Sequence, residues 1–384
     1  MNRQWITFAT AIKELYQKEF VPLHEPKFNE LELDYVTDCI QSGWVSSVGK
    51  YVDRFEKELA EFTGVKRAVA VVNGTAALHI ALKVAGVQAN EEVFMPSLTF
   101  IATANATSYL QAIPHFVDVS EETLGLDPFI LEEHIKNIGE MKNGQLMNKQ
   151  TGRVIRAVVP MHTFGHSVDI DPLIELCERY NLVLVEDAAE SLGSYYKGKH
   201  TGGFGRISAL SFNGNKIITT GGGGAILTND DKLADYAKHI TTTAKVPHRW
   251  EYEHDEVGFN YRMPNINAAL GCAQLQKVPT FIEQKRQLTQ VYEKLVKCID
   301  GVTLFKEPTN TKGNYWLQSL ILEQHFNRDD VLEFLNEHGV MSRPIWTPMD
   351  ELSPYKHMPK ADLNITKQLK NTLINIPSTP LKVK

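Results

Sequence analysis

Cysteine is scarce and scattered in this chain. Its 384 residues include four, Cys39, Cys177, Cys272 and Cys298. None forms a C-x-x-C pair, so the usual zinc-ribbon and thioredoxin-type patterns are excluded and the four read as reduced thiols. Long apolar runs are missing too, and no segment reaches the roughly 20 residues a bilayer crossing needs. The opening residues, Met1-Asn-Arg-Gln-Trp-Ile-Thr-Phe, lack the basic-then-apolar order of a secretion signal. A cytoplasmic protein with no membrane partner is expected. Positive charge is not in excess: the net charge is −6 and no basic run occurs, which argues against a nucleic-acid partner. There is no G-x-x-x-x-G-K-[ST] loop, no G-x-G-x-x-G after a first strand and no G-x-S-x-G elbow, so nucleotide-switch and serine-hydrolase readings have no support. His162 and His166 are four apart, but Gly165 lies between them and no glutamate follows His162. The segment reads as a loop, and no metal site is expected.

Apolar runs of strand length, several separated by helical stretches, are present in number. Seven occur: 68–72, 92–95, 114–119, 154–160, 182–186, 207–212 and 225–228. The alternation predicts an α/β fold, a large domain with a seven-stranded, mostly parallel sheet between helices. Helices are expected at 76–85, 101–109, 128–135 and 170–180, preceded by amphipathic helices at 28–42 and 52–62. Residues 139–151 read as a surface hairpin or loop. Residues 1–27 are expected to form an N-terminal arm with one short helix at 9–19. The large domain then runs over 28–262. Residues 263–384, with helices at 265–277, 281–298 and 328–337 and strands at 315–322 and 340–344, make a smaller α+β domain.

Three places in this framework bear chemistry. Asn73-Gly-Thr-Ala follows the first strand and opens a helix, where unpaired N–H groups and the positive dipole end attract a phosphate. Gly74 allows close backbone approach, Thr75 adds a hydroxyl and Ala76 completes the first turn; the same residues also suit a plain N-cap. Asp187 follows the run 182–186, and ligands of open α/β sheets bind beyond the carboxyl ends of strands. Its neighbour Glu186 alternates to the other face. Lys216 lies four residues after the run 207–212, in Ser211-Phe-Asn-Gly-Asn-Lys216, just before the glycine run 221–224. A lysine for a Schiff base, a carboxylate for a pyridine nitrogen and a phosphate cup are together what pyridoxal phosphate requires. Ser211 is a further phosphate donor, and Phe100, in Pro96-Ser-Leu-Thr-Phe100, a ring to stack on the cofactor. Each of these has a simpler reading as a cap, a surface charge or a core ring; it is their combination that points to a site.

In order and combination, Gly74-Thr-Ala-Ala-Leu78, Pro96-Ser-Leu-Thr-Phe100, Glu186-Asp-Ala-Ala189, Ser211-Phe with Lys216, and Gly258-Phe-Asn-Tyr-Arg-Met263 resemble the DegT/StrS-type sugar aminotransferases, enzymes of pyridoxal-phosphate fold type I. The resemblance runs from about Val21 to the C-terminus. It implies that Lys216 forms the Schiff base, that Asp187 pairs with the pyridine nitrogen, and that Gly74, Thr75, Ala76 and Ser211 hold the phosphate. Phe100 would stack on the ring, and Asn260 would reach the cofactor phosphate of a neighbouring subunit in a homodimer with shared active sites. Two positions depart from the family pattern: Glu190 stands where His or Gln is common near the ring hydroxyl, and Asp350 where a Pro-Leu-His stretch is common. Lysine at 216, where related sugar dehydratases carry histidine, favours transamination. The finer likeness is to the branch that aminates nucleotide-linked 4-keto-6-deoxyhexosamines in legionaminic-type pathways. The expected reaction moves an amino group from L-glutamate to a nucleotide-linked keto sugar, such as a UDP-2-acetamido-4-keto-6-deoxyhexose, through a Lys216 Schiff base and a pyridoxamine form. The other readings left open are a deoxysugar dehydratase and a non-catalytic cofactor-binding regulator.

Overall fold

The computed structural model describes residues 3–382. The seven expected strands are all present. They are β1 (Arg67–Val71), β2 (Glu92–Pro96), β3 (Ile113–Val117), β4 (Val154–Val158), β5 (Val183–Asp187), β6 (Ile207–Ser211) and β7 (Gly224–Thr228). Their order across the sheet is β1-β7-β6-β5-β4-β2-β3. The run from β6 through β5, β4 and β2 to β3 is parallel; β7 is antiparallel to both of its neighbours, β6 and β1. β2, β6 and β7 are almost wholly buried, as strands covered on both faces must be. Residues 139–148 form the hairpin, Gly139–Lys142 against Gln145–Asn148, and its second strand pairs with β4.

Helices cover both faces. On one, Gly74–Val84 packs with Ile101–Tyr109 and Asp231–Thr241 over Val69, Met95, Val185 and Ile226. On the other, Pro128–Ile138 and Ile170–Tyr180 cover Phe94, Val158 and Leu184. Their start signals lie in the sequence: Asp127 accepts from the backbone N–H groups of Phe129 and Ile130, with Pro128 at the first helical position, and Asn29 with Glu32 forms a reciprocal capping box.

Two segments pack differently from expectation. The N-terminal helix spans Arg3–Tyr16, and its buried face of Trp5, Phe8, Ala9 and Ile12 joins a second core with Leu288, Tyr292, Leu320 and Ile376, so it is no free arm. The helix Asn265–Leu275, expected in the small domain, packs on the helices Glu30–Ser42 and Lys50–Thr63 of the large one. Its many small residues (Ala268, Ala269, Gly271, Ala273) let these helices approach closely; a Cβ at Gly271 would fall 2.8 Å from the Phe55 ring. The C-terminal four-stranded sheet contains Val302–Leu304, Gln318–Leu322, Leu373–Ile376 and the short Arg343–Pro344, all antiparallel. The long helix Val278–Val296 lies between the two cores, contributing Val278 and Phe281 to one and Leu288 and Tyr292 to the other.

Candidate active site

The parallel strands end on one side of the sheet, and the chemistry gathers there. At the end of β5, the chain turns sharply after Asp187, with the Ala188 N–H donating to Ala209. Asp187 is fully buried. One carboxylate oxygen accepts the Thr103 hydroxyl at 2.7 Å and the other the Ala189 N–H at 3.2 Å. Burial outweighs these bonds and the nearby Lys216 charge, so its pKa is raised above the ordinary aspartate value. These two bonds fill about half of a carboxylate's acceptor sites, so a cationic N–H could still be accommodated.

Lys216 follows β6. Its amine lies 3.1 Å from Glu190 Oε1 and 3.9 Å above the ring of Trp316. Trp316 is held by its own indole N–H donating to the Asn215 carbonyl at 2.7 Å. Glu190 is buried, accepts the Phe164 N–H at 2.8 Å, and has its pKa pushed up from 4.5 to about 7 by burial, which the Lys216 charge opposes. A carboxyl poised near neutrality against an amine is an arrangement for passing a proton. The Glu190 carbonyl is fixed by Asn314 at 2.9 Å, so this departure from the family pattern is built into the fold.

The residues expected to hold a phosphate lie where the helix Gly74–Val84 begins beside the end of β6. Asn73 caps the helix Gly74–Val84, accepting the Ala76 N–H at 2.8 Å. Gly74 sits against the end of β6: a Cβ there would lie 2.8 Å from the Ser211 Cβ, and one at Gly224 would lie 2.5 Å from the Asn73 backbone. Gly74 is thus in close contact with Ser211, and Thr75 and Ala76 follow it in the first turn of the helix. Phe100 caps the helix Ile101–Tyr109 one turn before Thr103 and is 48 % exposed, leaving a ring face free beside Trp346, whose centroid is 6.3 Å away. A helix N-terminus, a buried under-satisfied carboxylate and a shielded amine fit the phosphate, the ring nitrogen and the aldehyde of pyridoxal phosphate.

Asn260 is exposed, and its side chain accepts from Arg262 at 3.2 Å. Its segment runs beside the end of β1, where the Val72 N–H donates to the Tyr261 carbonyl at 2.9 Å and Arg262 bridges Val71. Asp350 accepts the Ser97 hydroxyl at 2.7 Å and pairs with Lys360 at 2.8 Å, which ties the C-terminal segment to the end of β2. His162 pairs with Glu186 at 3.0 Å on the opposite face from Asp187, while His166 packs on Phe305 and Tyr315. Sequence reasoning missed Thr103, Phe164, Asn314 and Trp316. Thr103 lies four residues after Thr99 in a helix that follows the predicted Phe100, which is a usable signal. Trp316 and Asn314 come from another part of the chain, and no local pattern marks them.

Comparison with known proteins is consistent with this geometry. The DegT/DnrJ/EryC1/StrS aminotransferase family model matches residues 26–382. A GDP-perosamine synthase from Vibrio cholerae is 38% identical over 363 residues, 94% of each chain. A DegT/DnrJ/EryC1/StrS aminotransferase from Brucella abortus superposes with a TM-score of 0.83 at 28% identity over 91% of each chain. Helicobacter pylori PseC, an aminotransferase of pseudoaminic acid biosynthesis, superposes with a TM-score of 0.84 at 26% identity over 93% of each chain.

Proposed function

The chain belongs to the DegT/DnrJ/EryC1/StrS aminotransferase family, a pyridoxal-phosphate-dependent family, and on that premise we propose that it transfers an amino group from L-glutamate to a nucleotide-linked 4-keto-6-deoxysugar. The observation behind this reading is the Lys216 amine, shielded from solvent and 3.1 Å from Glu190 beside the buried Asp187. When bound, the cofactor supplies an aldehyde carbon for Schiff-base exchange and a ring that withdraws electrons from the carbon being aminated or deaminated.

The protein's own residues do the rest. Lys216 would hold the aldehyde end of the cofactor, and its amine is the group placed to carry a proton at Nζ. Glu190 accepts or returns a proton at the Lys216 Nζ. Asp187, held by Thr103, would pair with the ring nitrogen and favour its protonated form. The Gly74–Ala76 turn with Ser211 would hold the phosphate end, and Phe100 would cover one ring face. Trp316 and Phe164 keep water from the amine. A homodimer in a cytoplasmic enzyme completes the proposal. Ile40, Trp44, Val45 and Val48 form an exposed apolar stretch, and the segment 241–258 presents Trp250 and Tyr252, 68 % and 83 % exposed, under Arg249 and Lys245. Asn260, exposed beside the end of β1, would serve the second subunit's site.

The substrate proposed is a UDP-2-acetamido-4-keto-6-deoxyhexose. Because the Vibrio cholerae relative is named for a GDP-linked sugar, a test panel needs GDP-, UDP- and dTDP-linked keto sugars. The primary experiment is the visible spectrum of the purified protein with and without L-glutamate. A yellow band that bleaches on adding glutamate, with 2-oxoglutarate released, is the expected result. A stable yellow band indifferent to every amino acid would overturn the transaminase reading.

A further inference from the structure

Beside Lys216 lies a cavity of about 540 Å³ that none of the roles above uses. Its walls include Phe164, Trp316 and Trp346, with the Phe164 and Trp346 rings 4.9 Å apart. Trp316 is shared: one part of the ring lies under the Lys216 amine and another faces this space. Two of the side chains lining it, His24 and Arg343, can donate to a ligand, and His24 has no partner of its own. His24 reaches in from the N-terminal segment, and both of its ring nitrogens are shut off from solvent with no hydrogen-bond partner. Burial, with the charges of Lys285 and Lys216 nearby, keeps that ring neutral, so it offers one N–H donor and one acceptor. Arg343 lines the exposed end. Its guanidinium donates to the Ser342 carbonyl at 3.0 Å and reaches Asn336 at 3.4 Å, and it pairs with no carboxylate among the described residues.

An orphaned imidazole and an unpaired guanidinium on one apolar-walled cavity ask for an anion carried by a ligand. One fixed cation and one neutral ring match a single negative charge better than the two or more of a diphosphate. The reacting α-carbon of an amino-acid donor has to sit at the Lys216 amine. The cavity is lined by Trp316, which lies under that amine, and by Asn215, the residue before Lys216, so the group it would receive is the donor's distal one. We infer that this cavity is the subsite for the side-chain carboxylate of the amino donor, with the Arg343 guanidinium and the His24 N–H as its hydrogen-bond donors. The inference rests on the transaminase reading and sharpens it: it selects a dicarboxylic amino acid over alanine or another neutral donor.

The test titrates the cofactor-loaded protein with glutarate, an unreactive dicarboxylate, and follows the fluorescence of the wall tryptophans. Arg343→Gln should weaken glutarate binding roughly tenfold to a hundredfold, the loss expected for a charged hydrogen-bonding partner. Arg343→Lys should recover part of it, and His24→Phe should lose less than Arg343→Gln. In the donor half-reaction, the preference for L-glutamate over L-alanine should fall by a similar factor in Arg343→Gln. Thermal unfolding of each variant checks that it is folded; Arg343 is exposed, so its replacement leaves the core intact. Unchanged glutarate affinity and an unchanged glutamate-to-alanine ratio would sink the inference. So would a loss of UDP binding with glutarate unaffected, which would make the cavity a phosphate subsite. If no amino acid bleaches the cofactor band, the transaminase reading fails and the donor assignment falls with it, even where glutarate binding still depends on Arg343.

Discussion

Glu186 and Asp187 are neighbours at the end of one strand, both buried, both carboxylates, and they face opposite sides of the sheet. Glu186 is saturated. It accepts from the backbone N–H groups of Gly202, Phe204 and Gly205 at 2.6–2.8 Å and from His162 at 3.0 Å. Those bonds overcome burial and hold its pKa below the ordinary glutamate value. Asp187 has a hydroxyl and one backbone N–H, and its pKa is raised instead. The difference separates structure from function without reference to any relative. A buried acid whose partners all come from the fold is part of the scaffold. One that the fold leaves short is waiting for something that is not polypeptide.

The comparison can be broken in several ways. The largest effect should come from Lys216→Ala, which removes the amine that both sides of the argument assume: turnover should vanish while the unfolding temperature stays close to that of the wild-type apo protein. Asp187→Asn should lower turnover by about 10²- to 10³-fold, the cost of one preorganised electrostatic partner, and leave the fold intact. Glu186→Gln should do the reverse. Denaturant unfolding should show a loss of about 3 kcal/mol from the orphaned backbone donors and His162, with activity per folded molecule largely kept. Equal activity losses in the Asp187 and Glu186 variants would dissolve the distinction. Next comes Gly74→Ala, where the new methyl meets Ser211; strain of about 1–3 kcal/mol should appear as weaker cofactor binding by equilibrium dialysis.

The smallest effect concerns pH. Glu190 keeps its proton in the folded apo protein up to about 7, against 4.5 when unfolded. Between those values the native state binds more protons, so this group's contribution to stability declines as pH rises and levels off above the folded pKa. The stability difference between wild type and Glu190→Gln, measured by denaturant titration from pH 4.5 to 8, should therefore move against the wild type across that window. A flat difference would mean that Glu190 is an ordinary carboxylate.

Much of this site was legible in the sequence because its parts lie at predictable points of an α/β sheet. Gly74, Asp187, Ser211 and Lys216 all stand at or just past the ends of apolar runs, and the period-2 alternation already put Glu186 and Asp187 on opposite faces. The seven strand positions were recoverable for the same reason, since continuous apolar runs mark strands buried on both faces. What could not be read were meetings between distant segments. Nothing local says that Trp316 will lie under Lys216, that His24 will end in the same cavity as Arg343, or that the helix 265–275 will pack with the large core; a run rich in alanine is helical in either place. The N-terminal helix begins earlier than the expected 9–19 because its buried face starts at Trp5 and Phe8.

The strand β7 enters the sheet antiparallel, between β1 and β6, with Val71 opposite Gly224 and Ser211 opposite the same residue. This has a consequence for how the protein is born. The turn proposed to hold a phosphate is made early in synthesis, at Gly74, but the wall against which it closes is translated much later. Until β6 and β7 have emerged, the first strand lacks its neighbour and the cup has one side. Lys216 waits longer still, since Trp316 and Asn314 follow it by about a hundred residues. A ribosome-bound chain shorter than that has no finished place for the cofactor, so capture of the cofactor by such chains, arrested at successive lengths, would report when the sheet has closed.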